Sequence, residues 1–246
     1  MFLKPSKVVI NDNSSVDENS SNETNFSFKC DKIWAGSQNS FCRTIDGDIY
    51  AWGLNNYSQL GFKSTIPESE GPPVIVEWKP TNVTNYFPAN IVSITLGSHH
   101  ALTLDKEGRV YSNGLFQYGR LGHGNLQDDI INPKLIEALS HEKIIQISGC
   151  GSTSFAVSST GKHRTSRHKI IYFFISGKLY SWGMGGYCLG FSGKDEDEPE
   201  DVLVPRQVIF SKTSKRIIPT YIMVAAGSQH VAMIGYDDDE LKENGN

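Results

Sequence analysis

One short pattern is written into this chain several times. Ala35-Gly36-Ser37, Tyr50-Ala51-Trp52-Gly53 and Leu60-Gly61 return as Gly97-Ser98-His99-His100, Tyr111-Ser112-Asn113-Gly114 and Leu121-Gly122. A third copy runs through Cys150-Gly151-Ser152, Tyr180-Ser181-Trp182-Gly183 and Leu189-Gly190, and a fourth opens at Gly227-Ser228-Gln229-His230. Self-similarity of this kind marks a repeat architecture, in which a unit too small to close its own core buries an apolar face against the next unit.

The equivalent positions Gly36, Gly97, Cys150 and Gly227 lie 61, 53 and 77 residues apart. The last interval is the long one. Taking out residues 162–177, sixteen in number, returns it to 61 and joins Ser158-Ser159-Thr160-Gly161 directly to Lys178-Leu179-Tyr180. The join then matches Thr44-Ile45-Asp46-Gly47 running into Asp48-Ile49-Tyr50. The excess segment is expected to lengthen a surface hairpin turn, which chain entropy tolerates. Its Lys162-His163-Arg164 and Arg167-His168-Lys169 triplets read either as a basic nucleic-acid or nuclear-import patch, or as the translation of a retained in-frame intron of 48 nucleotides. In the second reading Gly161-Lys162 covers a splice donor and residues 172–177 a pyrimidine-rich acceptor.

Each repeat reads as short strands. Residues 40–45 and 49–52 flank Asp46-Gly47, and residues 102–104 and 110–111 flank Glu107-Gly108. Asp-Gly between alternating apolar runs predicts a tight hairpin with positive φ at both central positions. Pro5-Ser6-Lys7-Val8, Pro133-Lys134-Leu135-Ile136 and Pro205-Arg206-Gln207-Val208 predict outer strands that begin at proline, which has no amide proton for a ladder. Several strands per unit, radial repetition and glycine at crowded backbone positions predict an all-β chain, a β-propeller. Trp34, Trp52, Trp78 and Trp182 are expected to pack between its blades.

Composition narrows function more than fold. A net charge of −4 over 246 residues argues against a general polyanion binder. Cys30, Cys42, Cys150 and Cys188 form no C-x-x-C pair and have no metal-ligand spacing with histidine, so free, mostly buried thiols in a reducing compartment are expected, with no metal and no cofactor. Pro5 interrupts the first residues before a signal-peptide core can form, and the longest apolar run, Ile170-Ile171-Tyr172-Phe173-Phe174-Ile175, is too short to span a bilayer, so a soluble chain without a membrane partner is expected. G-x-S-x-G, G-x-x-x-x-G-K-[ST] and H-E-x-x-H motifs are absent from the sequence, which points away from an enzyme.

Gly97-Ser98-His99-His100-Ala101-Leu102, Tyr118-Gly119-Arg120-Leu121-Gly122-His123-Gly124, Trp182-Gly183-Met184-Gly185 and Gly227-Ser228-Gln229-His230 resemble the regulator of chromosome condensation repeats. In order and spacing the chain is similar to the C-terminal half of exchange-factor members of that family. Tyr57-Ser58-Gln59-Leu60-Gly61 and the acidic run Asp195-Glu196-Asp197-Glu198 fall where those members have similar segments. The resemblance implies about half of a seven-bladed propeller over residues 1–246. Its repeats would cover residues 28–90, 91–143, 144–217 and 218–236, with a flexible Asn/Ser-rich loop at 11–25, the inserted loop at 162–177 and an acidic tail at 237–246. Residues 1–10 would match an outer strand in mid-blade.

The resemblance also implies a guanine nucleotide exchange factor for the Ran GTPase, nuclear and chromatin-associated, acting in nucleocytoplasmic transport and the cell cycle. By the same resemblance His99, its neighbour His100, and His230 are candidates for the GTPase interface, and chromatin would be reached through parts absent from this chain. A histidine after Gly-Ser at the start of an inner strand can equally be structural, hydrogen-bonding the next blade. The alternative function is a repeat-built protein-binding scaffold without exchange activity, since the family's wedge-like hairpin and basic N-terminal tail are not in this sequence.

Overall fold

The computed structural model describes residues 29–65, 74–159, 177–185, 189–191, 200–209, 211–212, 215–216, 220–227 and 230–236. The Asn/Ser-rich stretch, residues 1–10, nearly all of the 162–177 excess, the acidic run at 195–198, Cys188 and the tail lie outside them.

Strands β1 (Cys30–Ala35), β2 (Asn39–Thr44), β3 (Ile49–Leu54) and β4 (Val76–Asn82) form one antiparallel sheet in chain order. Strands β5 (Ile91–Leu96), β6 (His100–Asp105), β7 (Val110–Gly114) and β8 (Ile130–Leu135) form a second in the same order. A third comprises β9 (Lys143–Cys150), β10 (Thr153–Ser159), β11 (Leu179–Gly183) and β12 (Val202–Gln207). After the short ribbon of β13 (Ser211–Lys212) and β14 (Lys215–Arg216), β15 (Thr220–Ala226) pairs with β16 (Val231–Tyr236). The first strands β1, β5, β9 and β15 pack against one another in succession. The sheets therefore converge on that side, and β4, β8 and β12 lie outermost. The architecture is a partial β-propeller.

Its core lies between sheets. Phe41, Ile49 and Leu60 of the first sheet meet Ile91, Ile94 and Ala101 of the second. Leu102, Leu104 and Val110 then meet Ile147, Ala156 and Trp182 of the third, and Phe155, Val157 and Leu179 meet Val224 of β15. Each of the branched and aromatic side chains here stabilises the fold by about 1.5–3 kcal/mol on burial. β6, the second strand of the second sheet, is covered on both faces, so all six of its residues are buried and the polar–apolar alternation of a half-exposed strand is lost. Two of the four tryptophans depart from the expectation. Trp182 is fully buried and Trp34 packs on the first core, whereas Trp52 is half-buried and Trp78 on β4 is 84% exposed.

A single backbone device recurs at the end of each third strand. Gly53, Gly114 and Gly183 have φ of +108°, +114° and +116°, and the pairing to the outer strand slips there. The following amide donates across the sheet: Leu54 N to Gln38 O at 2.9 Å, Leu115 N to His99 O at 2.9 Å and Met184 N to Ser152 O at 3.0 Å. The prolines are not where the sequence placed them. Pro133 and Pro205 stand fourth in β8 and β12, inside the stretch where the register slips, so the bulge already relieves the ladder of one donor. Pro5 lies outside the described residues.

The hairpins also differ from the expected turn. Gly47 and Gly108 have positive φ (+95° and +87°), but Asp46 and Glu107 do not. Thr44 N bonds Asp48 O and Gly47 N bonds Thr44 O, and the same pair of bonds links Asp105, Gly108 and Arg109. These are three-residue loops with one left-handed glycine rather than two-residue mirror-image turns. At the equivalent place in the third sheet, Ser158 N donates to Lys178 O at 2.9 Å. Deleting residues 162–177 would leave Ser159-Thr160-Gly161 across that stem, the same length with glycine in the same place. The deletion is expected to raise unfolding free energy by about 1.5 kcal/mol through loop-closure entropy, read by urea denaturation. A fall in stability would mean that the segment packs on the sheets.

Adjacent sheets are also stitched along their first strands. Thr95 Oγ1 accepts from Gly149 N at 2.9 Å, and Ser148, at the equivalent place in β9, accepts from Ala226 N at 3.1 Å. Trp34 holds that place in β1 and has no hydroxyl to offer. No helix among the described residues is long and apolar enough to cross a membrane.

Candidate functional site

The turns from first to second strand and the loops from third to fourth strand emerge at the same end of every sheet. That end carries Tyr57, His99, Tyr118, Arg120 and Met184. A cleft of about 350 Å³ opens there where the first strands converge, lined by small residues such as Ser37, Gly97, Ser98, Gly149 and Gly227.

His99 sits in the turn before β6, half-buried. Its ring meets Tyr57 of the first sheet's loop edge-on, with centroids 5.1 Å apart and planes at 61°. Its Nδ1 is buried without a hydrogen-bond partner. Burial first, and the nearby Arg120 guanidinium second, hold the imidazole below its ordinary range, so it is neutral near pH 7.

His100 is a different kind of group. It is fully buried on β6, with Nε2 2.9 Å from Ser154 Oγ in the next sheet. Ser154 Oγ donates its one proton to Arg120 O at 2.9 Å, and the same carbonyl accepts from Trp182 Nε1 at 3.0 Å. His100 must therefore carry its proton on Nε2 and donate to the serine. Burial, then Arg120, then His99 push its pKa down to about 3. With no exposed atom it joins two sheets and cannot itself touch a partner.

His230 occupies the place of His100, not of His99. Gly227 N bonds His230 O at 2.8 Å just as Gly97 N bonds His100 O at 2.9 Å. Unlike His100 it is exposed. The structure thus leaves His99 and His230 available at this end of the sheets and withdraws His100.

Neither serine–histidine contact among the described residues is a nucleophile–base pair. Ser112 Oγ donates to Leu121 O at 2.7 Å, leaving His123 Nε2, 2.9 Å away, as the donor. In both pairs the hydroxyl proton goes to a carbonyl, so the imidazole cannot take it.

Arg120 did not stand out as a site residue in the sequence, although Arg where the first repeat has Gln59 was a readable signal. It is 2% exposed; Nε donates to Gln117 O at 2.9 Å, the guanidinium carbon lies 5.3 Å from the centre of the Tyr118 ring, and Nη1 is buried without a hydrogen-bond partner. Asn113 also had no forecast role. It stands where the other copies have Trp52 and Trp182 and donates from Nδ2 to Ser58 O at 2.9 Å, keeping the bond between sheets that Trp182 makes.

The model of the Regulator of chromosome condensation (RCC1) repeat matches residues 46–104, 107–157 and 176–234, more than half of the chain, and a second model of that repeat matches residues 31–59. The chain belongs to the regulator of chromosome condensation repeat family. Among its members, the Regulator of chromosome condensation of Mus musculus is 30% identical over 208 residues, 83% of this chain and 41% of the relative. The Ultraviolet-B receptor UVR8 of Arabidopsis thaliana is 28% identical over 202 residues, 82% of this chain and 38% of the receptor. Prp20p of Saccharomyces cerevisiae, solved in work on its binding to Gsp1p and histones, superposes with a TM-score of 0.64 at 22% identity over 87% of this chain and 46% of the yeast protein. The chain spans less than half the length of each. A family match begins at the third strand of one sheet and ends at the second strand of the next, so each family repeat straddles two sheets.

Proposed function

We propose that this chain binds a Ran-type small GTPase through the end of the sheets bearing His99 and His230 and promotes guanine nucleotide exchange, as a nuclear, chromatin-associated protein. The carrying observation is the 30% identity to a Regulator of chromosome condensation over 83% of the chain. A neutral, half-buried His99 ring, held edge-on by Tyr57, suits a protein contact. Exchange breaks no covalent bond. It requires only that the factor bind the nucleotide-free GTPase more tightly than the loaded one, so its catalysis is a shift in conformational populations.

The test is release of a fluorescent guanine nucleotide from purified Ran. Acceleration by the folded chain, cut about tenfold in His99→Ala, a loss of roughly 1.4 kcal/mol, is the expected result. Unchanged release would overturn the exchange reading. A second reading, a binding scaffold without exchange activity, is favoured by one observation: the chain spans only 41% of the mouse relative. Stable capture of Ran without acceleration would select it.

A further inference from the structure

We propose that copies of this chain dock head to tail, the outward face of β15 and β16 of one copy seating on the outward face of the first sheet of another.

The two faces are mates of a joint that the chain already makes between its second and third sheets. On the second sheet that joint is formed by His100, Leu102 and Leu104, and on the third by Ile147, Ser154 and Ala156. Counted from the repeated positions Gly36, Gly97, Cys150 and Gly227, the last sheet carries His230, Ala232 and Ile234 where the second has its three. The first sheet carries Ile33, Ser40 and Cys42 where the third has its three. Strand alternation turns both sets away from the chain's own cores, since Val224 and Met233 of the last sheet already meet the third sheet and Phe41 of the first already meets the second.

Positions that are buried within the array are open at these two faces. Ile147 is 6% exposed and Ile33 71%, and Leu104 is 2% exposed and Ile234 55%. Met223, opposite Ile234 in the ladder, is exposed as well. Burying such side chains drives association, but apolar area alone suits many partners. What selects a second copy is the polar pair. His100 Nε2 lies 2.9 Å from Ser154 Oγ across the internal joint, and His230 and Ser40 stand in those two places on the open faces. The contact is heterologous, so each copy carries one surface of each kind. It engages His230 in the joint and leaves His99 to the GTPase reading.

The test is sedimentation velocity of the full chain over a concentration series. The wild type is expected to associate, and Ile33→Asp and Ile234→Asp each to remain monomeric, because either change spoils every joint in its own solution. Mixed in equal amounts, the two variants should recover a two-copy species, since one keeps the last-sheet face and the other the first-sheet face; recovery also shows that both are folded. Ser40→Ala, which keeps the apolar face, is expected to weaken association about fivefold. A monomeric wild type would give the faces another occupant and overturn the docking. So would association that survives either aspartate, or variants with wild-type circular dichroism that stay monomeric when mixed. Nucleotide release from Ran does not enter, so failure of either reading leaves the other standing.

Discussion

Gly183→Ala is expected to lower unfolding free energy by about 3–5 kcal/mol, the range reserved for changes that force both backbone strain and overlap. At φ +116° an L-residue is strained wherever it sits, and here the added Cβ would overlap Ser152 O and press on Thr153 Cα, both backbone atoms that cannot rotate away. Moving them would break the bond from Met184 N to Ser152 O. Gly47→Ala supplies the control, because its φ of +95° is also left-handed but nothing lies within 4 Å of the new carbon. Strain alone should cost about 1–2 kcal/mol there. Urea unfolding of the two variants separates the terms, and equal losses would show that the overlap at Gly183 is relieved without cost.

Acid should unfold the chain well above the range in which its carboxylates titrate. In the unfolded chain His100 and His123 take up protons as pH falls through 6.5. In the folded chain burial keeps them neutral down to about 3 and about 4 respectively, with Arg120 and then His99 adding to the effect at His100, and Lys134 at His123. The unfolded state therefore binds more protons throughout that window, so stability is full above pH 7 and declines as pH drops below 6.5. At pH 5 each histidine accounts for about 2 kcal/mol, together about 4 kcal/mol. Denaturant midpoints measured from pH 8 to 4.5 check this, and His100→Gln should flatten about half of the slope. A midpoint independent of pH between 7 and 5 would show that both rings are protonated in place.

The strands were legible because Tyr-x-Trp-Gly, Leu-Gly and the Asp46-Gly47 and Glu107-Gly108 turns mark chain reversals whose backbone demands few residues can meet. Turn type was not legible, since Asp46-Gly47 suits both a two-residue loop and a three-residue loop, and only the cross-strand bond from Thr44 to Asp48 decides between them. The outer-strand prolines went astray for a related reason. A bulge, not a strand start, frees the amide position at Pro133 and Pro205, and bulges leave little trace in sequence. At the candidate site the motif put His99, His100 and His230 together as letters. The fold separates them by face: β6 is covered on both sides, so His100 is buried, while His99 one residue earlier is in the turn. Arg120 was passed over because its side-chain burial depends on where the neighbouring sheet falls.

The unequal stitching of the first strands ranks the sheets by how readily each lets go. Between the second and third sheets the link is a backbone amide held by Thr95, reinforced by the buried contacts among His100, Ser154, Arg120 and Trp182. Between the first and second sheets it is carried instead by side chains, Lys32 Nζ of β1 to Val92 O at 2.8 Å and Arg43 Nη1 of β2 to Ile91 O at 2.5 Å, with Asn113 Nδ2 to Ser58 O and Asn132 Nδ2 to Gly61 O, both at 2.9 Å, farther out. Long charged arms hold less firmly than a buried backbone bond. In a linear array whose members cohere only with their neighbours, the first sheet is then the cheapest to peel away, and the second and third unfold as one block.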